Sequence, residues 1–430
     1  MEKRQNGFYS VYTICIQYKM NKKILISTFI VRFLMALSTF GVFMLSAQFL
    51  GSEGRGILSL FIANVTIVLL VSEIIFGPGY IYVSQYLPFK KLFLVGLLWS
   101  LFVSITVPII LFYTHIQTAE LLPYLFINSF LLAIITGINY HLQSVHDSFG
   151  FNFMNALQAI TSILFVWFIV HSHPTTDAFC IALLCTYILT ILSGLFFLSK
   201  FYFKKNIQPQ LTHMSIGSIF KTGLTAQYSN FLNFTNMRIG FYLIYLILGD
   251  VKELGIYAAA TSLVESVWMI SNTLATWLYP QIVSTKDSLI QIEKTQSFAA
   301  LAFWYSSTAL IILFFIPESF ILLLFGNDFI GVTHYIELLI PGTLIAAYGK
   351  IYWNYFAGTG QFKINNYSSL LSTVFALMSS IPLMYFFQVK GLAVSTSLSY
   401  IVYACLLIAA FIYKNKLPLK TALPTFKILP

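Results

Sequence analysis

Apolar runs separated by short polar connections recur along the whole chain. Crossing about 30 Å of hydrocarbon takes about 20 helical residues at 1.5 Å of rise each. Twelve stretches approach or exceed that length: 24–49, 57–77, 93–114, 121–141, 152–170, 178–199, 223–248, 255–282, 298–316, 335–356, 366–387 and 391–413. The pattern predicts an all-α polytopic membrane protein with twelve transmembrane helices. No connection exceeds roughly 25 residues, too short for a soluble catalytic domain, and no P-loop pattern accompanies them.

Composition agrees. Of 430 residues 58% are hydrophobic and only 9% charged, and a mean hydropathy of +0.82 excludes a water-soluble domain of this size. Basic residues gather on the cytoplasmic side of short membrane loops. With the amino terminus inside, 18 of the 24 basic residues fall on inner segments, Lys22, Lys23, Lys90, Lys91, Lys200, Lys204, Lys205 and Lys414 among them. Arg55, Lys252 and Lys390 fall on outer loops, which places both termini in the cytoplasm. The net charge of +10 then reads as topology and contact with anionic headgroups of the bilayer, and no nucleic-acid partner is expected. Residues 1–19 lack the features of a removable signal peptide and read as an extension ahead of the first helix. Cys15, Cys180, Cys185 and Cys405 form no CxxC pair and read as small core residues.

The turn Leu50-Gly51-Ser52-Glu53-Gly54-Arg55-Gly56 after the first run has a relative after the seventh, Leu248-Gly249-Asp250-Val251-Lys252-Glu253-Leu254-Gly255, offset by 198 to 199 residues. This spacing predicts an internal duplication. A six-helix lobe (1–199, with 1–23 a cytoplasmic tail) is followed by a basic linker (200–222), a second lobe (223–413) and a cytoplasmic tail (414–430). Six helices return the chain to its starting side, so the repeat is parallel, and the two lobes face each other around a central cavity.

Those two turns, together with Gly255-Ile256-Tyr257-Ala258, Tyr279-Pro280, Gly326-Asn327-Asp328-Phe329 and Gly358-Thr359-Gly360-Gln361, resemble in order and spacing the polysaccharide flippases of the multidrug/oligosaccharidyl-lipid/polysaccharide superfamily. The resemblance runs over essentially the whole chain. It implies an inner-membrane transporter that moves an undecaprenyl-diphosphate-linked oligosaccharide of O-antigen or capsule type to the periplasmic leaflet by alternating access. It also implies other polysaccharide-assembly proteins as partners, and no enzymatic activity.

Five charged residues lie well inside the apolar runs, away from their ends: Arg32, Glu73, Arg238, Glu265 and Lys350. An ionisable group at that depth is expensive and marks a functional site. At 100° per residue, Thr28, Arg32, Thr39 and Ser46 share one face of the first helix, and Gln227, Asn230, Arg238, Tyr242 and Tyr245 share one of the seventh. Arg32, Arg238, Lys350, Asn230, Gln227, Tyr242 and Tyr245 are therefore the candidate cargo-binding residues, with arginine suited to a diphosphate by its planar fork. The alternative is that such stripes merely bury polar groups between helices, and the Lys350 stem also has the reach to snorkel to the interface. Counting from the turns puts Arg238 level with Glu265, and Arg32 nearly level with Glu73, so each pair is within reach of a salt bridge. Glu265 and Glu73 are the candidates for coupling to H⁺ or Na⁺; static neutralisation is the competing role. The histidines form no cluster, and His141 and His146 read as flanking a solvated inner loop. Two other functions fit the outline, a multidrug antiporter and a membrane-embedded polymerase or ligase. A drug site needs no buried arginines, and the outer carboxylates are too scattered for a paired-acid site.

Overall fold

The computed structural model describes residues 22–202, 216–285 and 287–418, with Lys420 and Pro424 as isolated positions. Expectations for residues 1–19, most of the linker and most of the final tail lie outside the described residues. In chain order the helices are α1 (Lys22–Phe76), α2 (Gly79–Val83), α3 (Phe89–Tyr113), α4 (Leu122–Ser144), α5 (Ser148–Phe165), α6 (Thr176–Tyr202), α7 (Ile216–Leu243), α8 (Val251–Ser266), α9 (Trp268–Ser284), α10 (Ser288–Phe315), α11 (Glu318–Phe325), α12 (Val332–Gly358) and α13 (Phe362–Lys414). A π-helical turn extends α5 (Val166–Val170) and another extends α7 (Ile244–Leu248). Among the described residues there is no strand.

Nine stretches among these residues are long and apolar enough to cross a membrane. Two of them fold back on themselves. In α1 the reversal occurs at Gly51, where φ of +66° and ψ of −172° suit a residue without Cβ. The Arg55 guanidinium lies 3.8 Å from the centre of the Phe43 ring, whereas twelve residues of straight helix would separate them by about 18 Å. In α13 the reversal occurs at Gln388, so that Ser379 and Ser380 both meet Ser395 at 2.6 and 2.9 Å. With these hairpins opened and α12 counted, the described residues form twelve rods at the places where the apolar runs predict them. The predicted eighth helix runs through α8 and α9, with Val267 between them still in helical φ/ψ (−62°, −25°) and a local tightening of the hydrogen bonds around it.

Large apolar side chains point outward along the bundle: Leu98, Phe102, Ile110, Phe168, Phe196 and Ile312 are all more than half exposed. Serine, threonine, asparagine and alanine are numerous in the interior, beside buried leucine, phenylalanine and tyrosine. This arrangement suits a hydrocarbon surround, where lipid covers the apolar faces and helices associate through small and hydrogen-bonding residues. The seam of α7 and α13 shows it clearly. Ser229 meets Asn366, Asn233 accepts from Ser369, and the Asn236 amide donates to Ser372, rung by rung along two helices that run the same way.

The duplicated turns meet face to face. A Cβ on Gly56 would sit 2.0 Å from the Val251 carbonyl oxygen, and one on Gly255 would sit 1.8 Å from that of Ser52. Ser52 and Val251 are equivalent under the 199-residue offset, as are Gly56 and Gly255. The contact is thus reciprocal, in the way that a two-fold interface is, which is what a parallel repeat requires. It joins the second rod of α1 to α8 at this end of the bundle. At the opposite end Gly223 of α7 packs on the Ile74 carbonyl with similar intimacy.

Two sequence expectations change here. Arg55 is not on a solvated loop: the chain reverses within one residue, so Arg55 already belongs to the returning helix and is buried. His141 is likewise buried, against the Phe89 ring at 4.2 Å and within 3.4 Å of the Tyr80 hydroxyl.

Candidate functional site

The site grows from α8. Gly249, with φ of +66°, closes the π-helical end of α7, and Asp250 accepts from the Glu253 amide to start α8 in a fixed phase. That phase turns Glu265 towards α7. Arg238 donates to it through both terminal nitrogens, Nη1 to Oε1 at 3.1 Å and Nη2 to Oε2 at 2.9 Å. Tyr400 of α13 adds a third donor, its hydroxyl 2.9 Å from Glu265 Oε1. This bidentate, hydrogen-bonded pair is the one ion pair among the described residues. Its geometry is the one in which a buried pair can offset its desolvation.

Three residues beyond Glu265 on the same helical face, Trp268 continues the site. Its Nε1–H donates to the Thr343 carbonyl at 3.0 Å, its edge meets Tyr400 at 5.2 Å between ring centres, and Lys350 Nζ sits 4.0 Å from its own ring centre. Lys350 also donates to Asn272 at 3.4 Å. One helical turn further along α9, Thr276 accepts from Arg32 Nη1 at 3.3 Å. Arg238, Lys350 and Arg32 are thereby strung along one line of contacts, with Glu265 as its carboxylate. Lys350 is engaged with ring and amide at this depth rather than snorkelling. Its ammonium is held by the ring face of Trp268.

The other predicted positions divide. Glu73 does not pair with Arg32; it accepts from Gln227 at 2.7 Å, and Gln227 in turn accepts from Asn230 at 2.8 Å. The similar depth of Arg32 and Glu73 was legible, but residue counting does not give the direction in which each helix turns its side chain. Tyr242 is buried, with its hydroxyl donated to Asn64 at 2.9 Å, so its ring belongs to the core. Tyr245 lines a small hollow near the Gly51 end with Gly56, Gln117 and Val251. On the first helix, Thr28 accepts from Asn152 and Ser46 from Arg55, whereas Arg32 and Thr39 are exposed.

Trp268, Asn272, Thr276 and Tyr400 were missed by sequence reasoning. The first three carried a readable signal: with Glu265 they occupy positions i, i+3, i+7 and i+11, one face of a helix. Tyr400, 135 residues from Glu265, carried none. Among the described residues no group of histidine, cysteine and carboxylate side chains could hold a metal ion.

No family model matches the chain, and no curated protein does. Solved structures do. The lipid II flippase MurJ in an inward closed conformation aligns with a TM-score of 0.67 at 12% identity, over 94% of this chain and 89% of that one. The MATE multidrug transporter DinF-BH gives 0.64 at 17%, over 93% and 97%. A mutant of the Vibrio cholerae MATE transporter VcmN gives 0.63 at 10%, over 92% and 98%. The chain shares the fold of these membrane transporters over more than nine-tenths of its length.

Proposed function

We propose that the chain is a transporter of the bacterial inner membrane that flips an anionic lipid-linked oligosaccharide, of undecaprenyl-diphosphate type, between leaflets by alternating access of two lobes. The lobes comprise 1–199 and 223–413, with the basic linker and both termini in the cytoplasm. The observation that carries this reading is an imbalance of charge. Among the described residues Arg238 is paired with Glu265, whereas Arg32 contacts Thr276, and Lys350 contacts Asn272 and the Trp268 ring with no carboxylate of its own, sharing the field of the same Glu265. Three cations sharing one carboxylate, at a depth where each costs a few kcal/mol or more, suit a cargo that brings its own negative charge. Gln227, Asn230 and Tyr245 remain candidate contacts for sugar. Glu265 is the carboxylate to which H⁺ or Na⁺ coupling is assigned, since displacement of Arg238 by cargo phosphate frees it to take a cation.

A multidrug antiporter is the second reading. It is favoured by Glu265, a carboxylate whose side chain is only 9% exposed and against which a cationic drug could sit, and by the MATE transporters that share the fold. Deleting the gene separates the two. Lipid-linked oligosaccharide accumulating in the cytoplasmic leaflet, with unchanged sensitivity to cationic dyes, supports the flippase. Increased dye sensitivity without such accumulation supports the antiporter and overturns the proposal.

A further inference from the structure

The buried charge that the site above leaves unused is Arg55. Only 6% of it is exposed, and among the described residues no carboxylate pairs with it. Its guanidinium lies over the Phe43 ring at 3.8 Å, Nη1 donates to Ser46 at 3.0 Å, and Nε has no partner. A cation–π contact and one hydroxyl offset only part of the desolvation of an arginine. Phe43 belongs to the core between the halves of the chain, its ring 5.5 Å from that of Phe325 in α11. The residues flanking Arg55 form the reciprocal contact between the duplicated turns, and the Asp328 carboxylate covers Gly51. Arg55 is thus buried beside the contacts that hold the two turns together.

Depth gives the arginine a place in an order. Measured along the helices at 1.5 Å per residue, Arg32 stands about 28 Å from its turn glycine and Arg238 about 16 Å from the equivalent glycine, while the Arg55 guanidinium, level with Ser46 and Phe43, lies about 8 to 12 Å from its own. Arg55 is therefore the nearest of the three to the turns, Arg238 is next and close enough to act on it, and Arg32 is the deepest. From this geometry we infer that Arg55 is a second anion contact: it receives the phosphate-bearing headgroup of the cargo at the Gly51 end when the two turns part, after Arg32 and Lys350 have held it deeper in the bundle. The inference rests on the flippase reading and adds to it the place where the headgroup arrives.

The test uses the full chain in proteoliposomes with NBD-labelled farnesyl diphosphate as the probe, its movement between leaflets read by dithionite quenching. Arg55→Met is expected to slow movement at least tenfold while binding of the probe to the solubilised protein stays within twofold of wild type. Arg32→Gln is expected to weaken binding itself. Should Arg55→Met fail to fold, Arg55→Cys treated with a 2-aminoethyl thiosulfonate serves instead, with the unsubstituted chain given the same reagent as control. Recovery of movement with the aminoethyl reagent, and none with its neutral methyl counterpart, is the result expected. Wild-type movement in Arg55→Met, or equal recovery with the methyl reagent, overturns the assignment and leaves Arg55 a packing role. If wild type moves no probe, or Arg32→Gln binds and moves it as wild type does, the flippase reading fails and the assignment falls with it.

Discussion

In the second half of the chain Arg238 and Glu265 face each other across a hairpin and close into a bidentate pair held by Tyr400. In the corresponding hairpin of the first half, Arg32 and Glu73 lie at similar depth and never meet: Glu73 is taken by Gln227, and Arg32 reaches across to Thr276. The backbone contacts between the two turns have stayed reciprocal, so the scaffold kept its symmetry while the charge chemistry diverged. One half carries a balanced pair. The other offers an arginine that nothing among the described residues neutralises, and this asymmetry gives the seam its net positive character.

The comparison can be broken most forcefully at the balanced pair. Glu265→Leu leaves Arg238 buried without its carboxylate and Tyr400 without its acceptor, and is expected to cost about 3–5 kcal/mol of stability, read as detergent-resistant thermal unfolding. Arg238→Met/Glu265→Leu together should recover most of that loss, because no uncompensated charge remains.

The symmetry of the scaffold comes next. Gly56→Ala and Gly255→Ala each push a methyl group into a facing carbonyl, so each should destabilise the contact between the turns by about 1–3 kcal/mol. Reciprocity requires similar effects, and spin labels at the exposed residues Glu53 and Lys252 should move apart in both variants. A large effect in one variant alone would show that the two turns are not equivalent.

Tyr400→Phe removes one donor from Glu265 and should cost about 1 kcal/mol. Glu73→Gln should be smallest of all, within about 0.5 kcal/mol, since a glutamine can still accept from Gln227. A loss approaching that of Glu265→Leu would mean that Glu73 carries a charge the structure does not explain.

Much of this was readable from the chain. The apolar runs place the rods, since a helix is the one open-chain element that satisfies its backbone in lipid, and the distance of Arg238 and Glu265 from their turns brings them level. What counting misses is azimuth. Arg32 and Glu73 illustrate this, as does Arg55, which follows a glycine-rich stretch that reads as a loop of several residues yet reverses at Gly51 alone. Tyr400 and Asn64 approach their partners from far along the chain, and only tertiary packing brings them there.

The central claim is that Arg32 and Lys350 form an unbalanced cationic seam built for a phosphate-bearing lipid. Equilibrium binding of farnesyl diphosphate and of farnesol to the wild-type protein and to Arg32→Gln/Lys350→Gln tests it most directly. The account predicts that the double substitution weakens diphosphate binding at least tenfold, leaves farnesol binding unchanged and leaves the unfolding temperature where it was. Equal binding of the diphosphate to both proteins would contradict it.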